Sequence, residues 1–259
     1  MTCVQDATTK RETKFITLIH SGWNVNLKAI TFDLWNTLIK NVDANDKRVV
    51  FLMEALGEFH VEQDRIYRAF DRMHQESWQK WETPPYVYFS VDERIQFIES
   101  MLGIQIGAAE QERIRTYFEE CLLEDPPELH PHAQEVLEHL SGNHQIGLVS
   151  DSGYSPGRVM RKVLEMHGIL DYFTITIFSD ETGFNKPHRI MFETALASLK
   201  VPPSSCAHVG DLLRTDIAGA RHMKMQPIFI DRYNTPEQEA RKYQPHAIIR
   251  SLDELFELK

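Results

Sequence analysis

Five residues in four short segments of the sequence have side chains that suit phosphoryl transfer. Asp33 offers a carboxylate that is ionised near neutral pH and can attack phosphorus to form an acyl phosphate. Lys186 supplies a cation for the charge of the transition state, and Ser150 can hold a phosphate oxygen. Asp211 and Asp216 supply oxygen ligands for a hard cation such as Mg²⁺. Because a carboxylate nucleophile alone would repel a dianionic phosphate, this set predicts a Mg²⁺-dependent hydrolase.

The pattern of apolar residues indicates which elements bring these segments together. From about residue 128 onward, short apolar runs alternate with helical spacing, which is typical of βαβ units in a mainly parallel sheet. In such sheets ligands bind beyond the carboxyl ends of the strands, where the candidate residues are expected. Strands are predicted at residues 28–33, 145–150, 173–179, 206–210, 226–230 and 246–249, and helices at 133–140, 158–166, 189–199, 217–223, 236–242 and from 252.

A long stretch between the first and second predicted strands has a different pattern. Its apolar residues recur at helical spacing, with a break at Thr83-Pro84-Pro85. The stretch is too long for a loop, so it predicts a separate helical domain. The predicted organisation is a tail at residues 1–27, a doubly wound, Rossmann-like α/β core at 28–42 and 128–259, and an inserted all-α domain at 43–127.

The four segments resemble, in order, the four motifs of the haloacid dehalogenase (HAD) superfamily. The fourth motif is fairly specific by itself, and the correct order of all four strengthens the resemblance. The inserted helical stretch occupies the place where this superfamily carries its cap domain. The resembling segments are residues 32–38 (FDLWNTL), Val149-Ser150, Lys186-Pro187 and residues 209–220 (VGDLLRTDIAGA).

The resemblance implies a metal site built from four residues. Asp33 is expected to be both the nucleophile and a ligand of Mg²⁺, and Trp35 to contribute its backbone carbonyl. Asp211 is expected to bind the ion directly. Asp216 is expected to be a second or water-mediated ligand.

The resemblance also implies how a substrate is held. Ser150 is expected to donate a hydrogen bond to the transferring phosphoryl group, and Lys186 to bridge that group and the nucleophile. Thr37 is expected to support the first loop beside the substrate. Asp151, where many relatives have Asn, either contacts the substrate or is a solvated turn residue. The expected substrate is a small phosphate ester.

Trp35 departs from the pattern of the family's phosphatases. Those enzymes carry an Asp at this position, two residues after the nucleophile, which protonates the leaving group and later activates water. Indole is neither an acid nor a base near neutral pH, and losing a general acid costs about 10²–10⁴-fold in rate. Relatives that release halide from 2-haloacids carry an aromatic residue here, but they need no Mg²⁺ and usually lack the Gly-Asp of the fourth motif.

Three functions therefore stay open, with a Mg²⁺-dependent phosphatase favoured by Gly210, Asp211 and Asp216. The phosphatase is either slow, selective for good leaving groups, or supplied with a proton by another residue. The second function is a 2-haloacid dehalogenase-like hydrolase. The third is a non-catalytic phosphate-binding or regulatory protein with a degenerate site. Each candidate carboxylate, taken alone, could also be only a turn residue or a helix cap.

The aromatic residues around the two prolines have two equally favoured interpretations. They line the inner face of the inserted domain, above the site, or they form that domain's own core. The residues concerned are Trp78, Trp81, Tyr86, Tyr88 and Phe89.

Composition limits the partners and the compartment. The 259 residues carry a formal net charge of −10, so nucleic acid and anionic membranes are not expected partners. Three cysteines, an odd number without a C-x-x-C pair, favour a reducing, cytoplasmic setting. Residues 1–27 lack the apolar stretch of a secretion signal and predict a tail or extended start, with a docked strand as the alternative. Nothing in the sequence indicates the oligomeric state.

Overall fold

The protein, described by a computed structural model at residues 17–18 and 26–258, is built around one sheet. Seven strands lie in the order β1-β7-β6-β5-β2-β3-β4, and β2 to β7 are parallel to their neighbours within this set. All six strands predicted for the core are confirmed, with small differences at their ends. The strands are β1 (Thr17–Leu18), β2 (Ala29–Phe32), β3 (Gln145–Ser150), β4 (Ile175–Phe178), β5 (Cys206–Gly210), β6 (Gln226–Ile230) and β7 (Ala247–Ile249).

Helices surround the sheet and fill the stretch between β2 and β3. The predicted strand at residues 173–179 is too long, because its last residue begins a short helix, and the predicted helix from 252 is a 3₁₀ helix, Leu252–Glu257. No helix among the described residues is both long and apolar enough to cross a membrane. The α-helices are α1 (Asn45–Ala55), α2 (Gln63–Glu82), α3 (Val91–Leu102), α4 (Ala108–Glu120), α5 (Ala133–Ser141), α6 (Gly157–Met166), α7 (Ser179–Thr182), α8 (Arg189–Leu199), α9 (Ala218–His222) and α10 (Glu237–Lys242).

The order of the parallel strands creates a switch point at the centre of the sheet. The chain runs from β2 outward through β3 to β4, returns to the other side of β2 at β5, and continues outward to β7. Ligands of doubly wound sheets bind at such a point, beyond the carboxyl ends of the strands. Asp33 follows β2 and Asp211 follows β5, and the Asp33 N–H donates to the carbonyl of Val209 at 2.9 Å. The fold therefore places two candidate carboxylates side by side.

The sheet is covered on both faces, which explains why its central strands are apolar almost throughout. All four residues of β2 are buried. Because side chains alternate along a strand, Ile30 and Phe32 pack with α5 and α6, whereas Ala29 packs on the opposite face with α8 and α9. This arrangement confirms the doubly wound α/β core.

Residues 45–123, here called the helical insertion, contain α1 to α4 and have their own apolar cluster. Helix α2 ends at Glu82, just before the predicted break at the two prolines. Helix α3 begins with a capping box in which Ser90 and Glu93 bond each other's backbone N–H, and it ends at Gly103, whose φ of 69° is left-handed. Tyr154, from the loop after β3, is also part of the cluster, so the core and the insertion interlock.

The predicted tail at residues 1–27 includes one short strand. β1 pairs antiparallel with β7, with Thr17 opposite Ile248 and Leu18 opposite Ala247. At these two residues the structure therefore has the docked strand that was the alternative to a tail. Residues 1–16 and 19–25 lie outside the described residues.

Close packing of α9 on α8 gives a test of the fold beside the site. A Cβ atom at Gly219 would lie 2.3 Å from Cε2 of the buried Phe192. We expect Gly219→Ala to lower the free energy of unfolding by about 1–3 kcal/mol because the core must be overpacked. At Gly57 a Cβ would meet nothing within 4 Å, so Gly57→Ala should change stability by less than about 0.5 kcal/mol. Urea unfolding of both variants measures the difference, and equal effects would contradict this account of the packing.

Candidate active site

A buried lysine lies between two carboxylates at the switch point. Lys186 Nζ is 2.5 Å from Asp33 Oδ1 and 2.7 Å from Asp216 Oδ1. Asp33 follows β2, Lys186 follows α7, and Asp216 lies in a π-helical turn, Leu213–Ile217, after β5. Lys186 is only 2% exposed, and a buried ammonium is stable only when it is paired in this way. Burial acts to lower the pKa of Lys186, but the carboxylates, Asp216 first, hold it above its usual value.

Asp216 has hydrogen-bond partners on both of its oxygens. Oδ1 faces Lys186 and, at 3.3 Å, Nε2 of His208, while Oδ2 accepts from the Leu212 N–H at 3.0 Å. Although burial acts to raise it, Lys186 and His208 hold the pKa of Asp216 below its usual range. Asp216 is therefore held as a carboxylate that positions Lys186. This environment agrees better with an indirect role toward a metal ion than with a direct one.

Gly210 allows Asp216 to approach the end of β5. A Cβ atom at this position would lie 2.4 Å from Cγ of Asp216, closer than real atoms come. The glycine of the fourth motif is therefore required for steric reasons, because a larger residue at position 210 would displace the Asp216 carboxylate from Lys186.

Asp211 has a different environment, which sequence reasoning did not foresee. Its Oδ2 accepts from the hydroxyl of Tyr233 at 3.2 Å, and that hydroxyl accepts from Asn36 Nδ2 at 2.7 Å. Arg232 donates to the backbone carbonyls of Asn36 and Thr37 at 3.0 and 3.1 Å. Both Arg232 and Tyr233 follow β6, so the strand-end rule, applied to β6, could have found them.

The carboxylates of Asp33, Asp211 and Asp216 form a group that could hold a metal ion. One ligand atom of each lies within 4.8 Å of the others, and all three residues are buried. Burial raises the pKa of Asp33 to about 7 against the opposing charge of Lys186. Burial, followed by the charge of Asp33, raises the pKa of Asp211 to about 8. Three carboxylates thus share one ammonium, and a hard divalent cation such as Mg²⁺ fits both the excess negative charge and the oxygen donors.

Thr37 contacts Asp33, and Ser150 lies at the end of β3, the strand next to β2. Thr37 is buried, and its Oγ1 donates to Asp33 Oδ2 at 3.1 Å. Ser150 is buried at the end of β3, and its Oγ donates to the carbonyl of Asp151 at 3.2 Å. Their roles toward a substrate stay predictions.

Asp151 links the core to the helical insertion. Its Oδ1 accepts from the backbone N–H of Lys186 and its Oδ2 from Nε1 of Trp81, both at 2.9 Å. Burial raises the pKa of Asp151. Because both oxygens are engaged, the geometry favours a structural role for this carboxylate over the predicted contact with substrate, which stays untested.

A cavity of about 430 Å³ lies between the core and the helical insertion. Trp35 lines it, and this half-buried residue packs against the apolar clusters beside it. Four of the five aromatic residues around the two prolines also line the cavity: Trp78, Trp81, Tyr88 and Phe89. The structure thus favours the inner-face interpretation for these four, although Phe89 belongs to the insertion's own core as well.

Comparisons with known proteins give one consistent family. A family model for haloacid dehalogenase-like hydrolases matches residues 27–224. The pyrimidine 5'-nucleotidase YjjG of Escherichia coli is 30% identical over 129 residues, which span 49% of this chain and 55% of the relative. The ribulose-1,5-bisphosphate 5-phosphatase of Halopiger xanaduensis is 26% identical over 206 residues, 78% of this chain and 84% of the relative.

The fold is also similar to that of solved structures. A 2-haloacid dehalogenase from Pseudomonas syringae pv. Tomato superimposes with a TM-score of 0.66 at 23% identity, over 90% of this chain and 97% of the other. At this identity the likeness concerns the fold alone.

The hydrogen bond between Trp81 and Asp151 gives a test of the contact between the insertion and the core. Trp81→Phe keeps a ring for the guanidinium of Arg214, which lies 3.7 Å from the Trp81 ring centroid, but leaves Asp151 Oδ2 without its donor. We expect the free energy of unfolding to fall by about 1–3 kcal/mol. Trp78 is 57% exposed, so Trp78→Phe is the matched control and should have little effect. Urea unfolding measures both variants. If both lose similar amounts of unfolding free energy, the loss comes from the smaller ring and not from the missing hydrogen bond.

Proposed function

This chain belongs to the haloacid dehalogenase-like hydrolase family, and we propose that it is a Mg²⁺-dependent phosphatase that forms an aspartyl-phosphate on Asp33. The observation that carries the proposal is the buried contact of Asp33 with Lys186, surrounded by two further carboxylates at the switch point of the sheet. Relatives named as phosphatases and a nucleotidase support a phosphate ester as the substrate.

The proposed reaction has two steps. An oxygen of Asp33 forms a bond to phosphorus as the bond between phosphorus and the ester oxygen breaks, and the departing alkoxide takes up a proton. Water then attacks the aspartyl-phosphate, which releases inorganic phosphate and restores the carboxylate. Lys186 stabilises the negative charge of both steps, and Thr37 orients Asp33.

The metal site is part of the same proposal. Asp33 and Asp211 would hold Mg²⁺ directly, with the backbone carbonyl of Trp35, whereas Asp216 would act mainly by positioning Lys186. When bound, the ion neutralises charge between the nucleophile and the phosphate and so permits their approach. The fully bonded environment of Asp216 is what supports the difference between the two aspartates.

We propose that the helical insertion is the cap of this active site. It supplies much of the lining of the cavity next to Trp35 and Asp151. Covering the site would exclude water from the reacting groups and let cap residues select the substrate. The predicted domain at residues 43–127 corresponds to this cap.

Trp35 favours a second candidate, hydrolysis of 2-haloacids. Halide leaves without a proton, so an aromatic residue two positions after the nucleophile is chemically compatible with that reaction. The cluster of three buried carboxylates weighs against it, because the dehalogenation requires no metal ion.

Turnover with and without metal tests the proposed phosphatase. We expect wild-type protein to hydrolyse p-nitrophenyl phosphate only when Mg²⁺ is present and Asp33→Asn to be inactive, because the amide is a poor nucleophile and lacks the ligand charge. Asn is nearly isosteric, so circular dichroism should show a folded variant. Retention of more than a few per cent of the activity would contradict the role of Asp33. Release of chloride from 2-chloropropionate without metal, in a protein inactive on phosphates, would replace the phosphatase by the dehalogenase.

The indole of Trp35 leads to a prediction about leaving groups. Because position 35 offers no acid, we expect aryl phosphates to react far faster than alkyl phosphates, whose alkoxide needs a proton to depart. Trp35→Asp should raise alkyl phosphate turnover by up to about 10²-fold, the lower end of the range for general acids. A plot of rate against leaving-group pKa provides the measurement. A flat plot for the wild type would mean that another residue already donates the proton.

A further inference from the structure

Two buried arginines of the helical insertion line the cavity above the proposed site. Arg48, in α1, is 5% exposed and Arg94, in α3, is 4% exposed. Each donates from Nε to a backbone carbonyl at 3.0 Å, Arg48 to Phe118 and Arg94 to Phe89. Arg94 Nη1 also donates to Sδ of Met73 at 3.7 Å. Since a guanidinium has five N–H donors, these bonds use one donor of Arg48 and two of Arg94.

The two arginines share one aromatic ring. The Cζ atoms of Arg48 and Arg94 lie 4.2 and 4.5 Å from the ring centroid of Tyr154, a residue of the core that enters the insertion's cluster. Two positively charged guanidinium groups thus lie against the same ring, and they repel each other. Burial lowers the pKa of Arg48, and the charge of Arg94 contributes to the same shift.

No carboxylate in the described part of the chain lies within ion-pair distance of either guanidinium. Arg113, also in the insertion, differs: it lies over a ring, that of Phe51 at 4.9 Å, but pairs with Glu110 at 2.8 Å. Asp43 lines the cavity near Arg48 but is exposed and forms no ion pair with it. Buried charges without a partner are costly, so the pair of arginines is suited to an anion that arrives from outside.

The cavity reaches the immediate neighbours of the reacting groups, although Asp33 and Lys186 themselves do not line it. Trp35 and Asp151, neighbours of the nucleophile and of Lys186, line the same space as Arg48 and Arg94. We propose that Arg48 and Arg94 bind a second anionic group of the substrate, a carboxylate or a phosphate, while its phosphoryl ester lies at Asp33. This inference rests on the proposed phosphatase function and narrows its substrates to phosphate esters with two anionic ends.

Binding of matched phosphonates to the wild type provides the first test, independent of turnover. Calorimetry with Mg²⁺ compares alkylphosphonates with ω-phosphonocarboxylates and α,ω-bisphosphonates of the same chain length, from two to six methylenes. Charge-assisted hydrogen bonds predict that at least one doubly anionic ligand binds about tenfold to a hundredfold more tightly than its alkyl partner. Whether the ω-phosphonocarboxylates or the α,ω-bisphosphonates bind more tightly shows whether the second anionic group is a carboxylate or a phosphate. No preference at any length, or no binding of any phosphonate, would overturn the inference.

Variants then assign the preference to the two arginines. In Arg48→Met and Arg94→Met the affinity ratio between doubly and singly anionic ligands should fall towards one, whereas the control Arg113→Met should keep the wild-type ratio. A ratio that persists in folded variants of both residues would overturn the assignment. If a methionine variant does not fold, Arg94→Lys keeps the charge but loses the planar fork, and it should reduce the ratio partly.

Turnover of p-nitrophenyl phosphate, measured in parallel, separates this inference from the function on which it rests. Turnover without a preference for doubly anionic ligands would leave the phosphatase standing and reject the arginine site. A preference that depends on the two arginines, in a protein that hydrolyses no phosphate, would support the site and reject the phosphatase.

Discussion

The ammonium group of Lys186 between Asp33 and Asp216 is the interaction on which the proposed site depends. Carboxylates that are buried this closely repel one another, and their charge in a medium of low polarity requires a compensating cation. Lys186 supplies one positive charge against three carboxylates, so the site remains attractive to a divalent cation. His208, a residue of β5, contacts Asp216 from the side of the sheet and helps to hold its carboxylate against Lys186.

The position of Lys186 in turn depends on the contact between the core and the helical insertion. Asp151 bonds both the backbone of Lys186 and the indole of Trp81. The segment after α2 also bonds the loop before Lys186: the N–H of Asn185 donates to the carbonyl of Tyr86 at 2.7 Å, and the N–H of Tyr88 to that of Gly183 at 3.0 Å. A shift of the insertion would therefore also move the backbone around Lys186.

The site combines two regions with different chemistry. At the sheet edge, carboxylates and one lysine suit the transfer of a phosphoryl group and its metal ion. In the cavity above, aromatic rings and two arginines without a carboxylate partner suit the rest of the proposed anionic substrate. Trp35 lies at the boundary between them. The indole cannot donate a proton, but it adds an apolar wall to the cavity. This agrees with a phosphatase whose choice of substrate depends on the leaving group and on the insertion.

The sequence by itself predicted the parallel strands and the helical insertion from apolar periodicity, and the candidates Asp33, Ser150 and Asp211 from the ends of strands, because both are local properties of the chain. Residue type and the resemblance to the family's motifs indicated Lys186 and Asp216. The sequence did not determine that Tyr233 reaches Asp211 or that His208 supports Asp216. Nor did it reveal Arg48 and Arg94 around Tyr154. The tertiary structure decided these contacts, because the approach of their residues depends on packing between elements and leaves no periodic pattern in the sequence. All but the contact of His208 with Asp216 also join residues far apart in the chain.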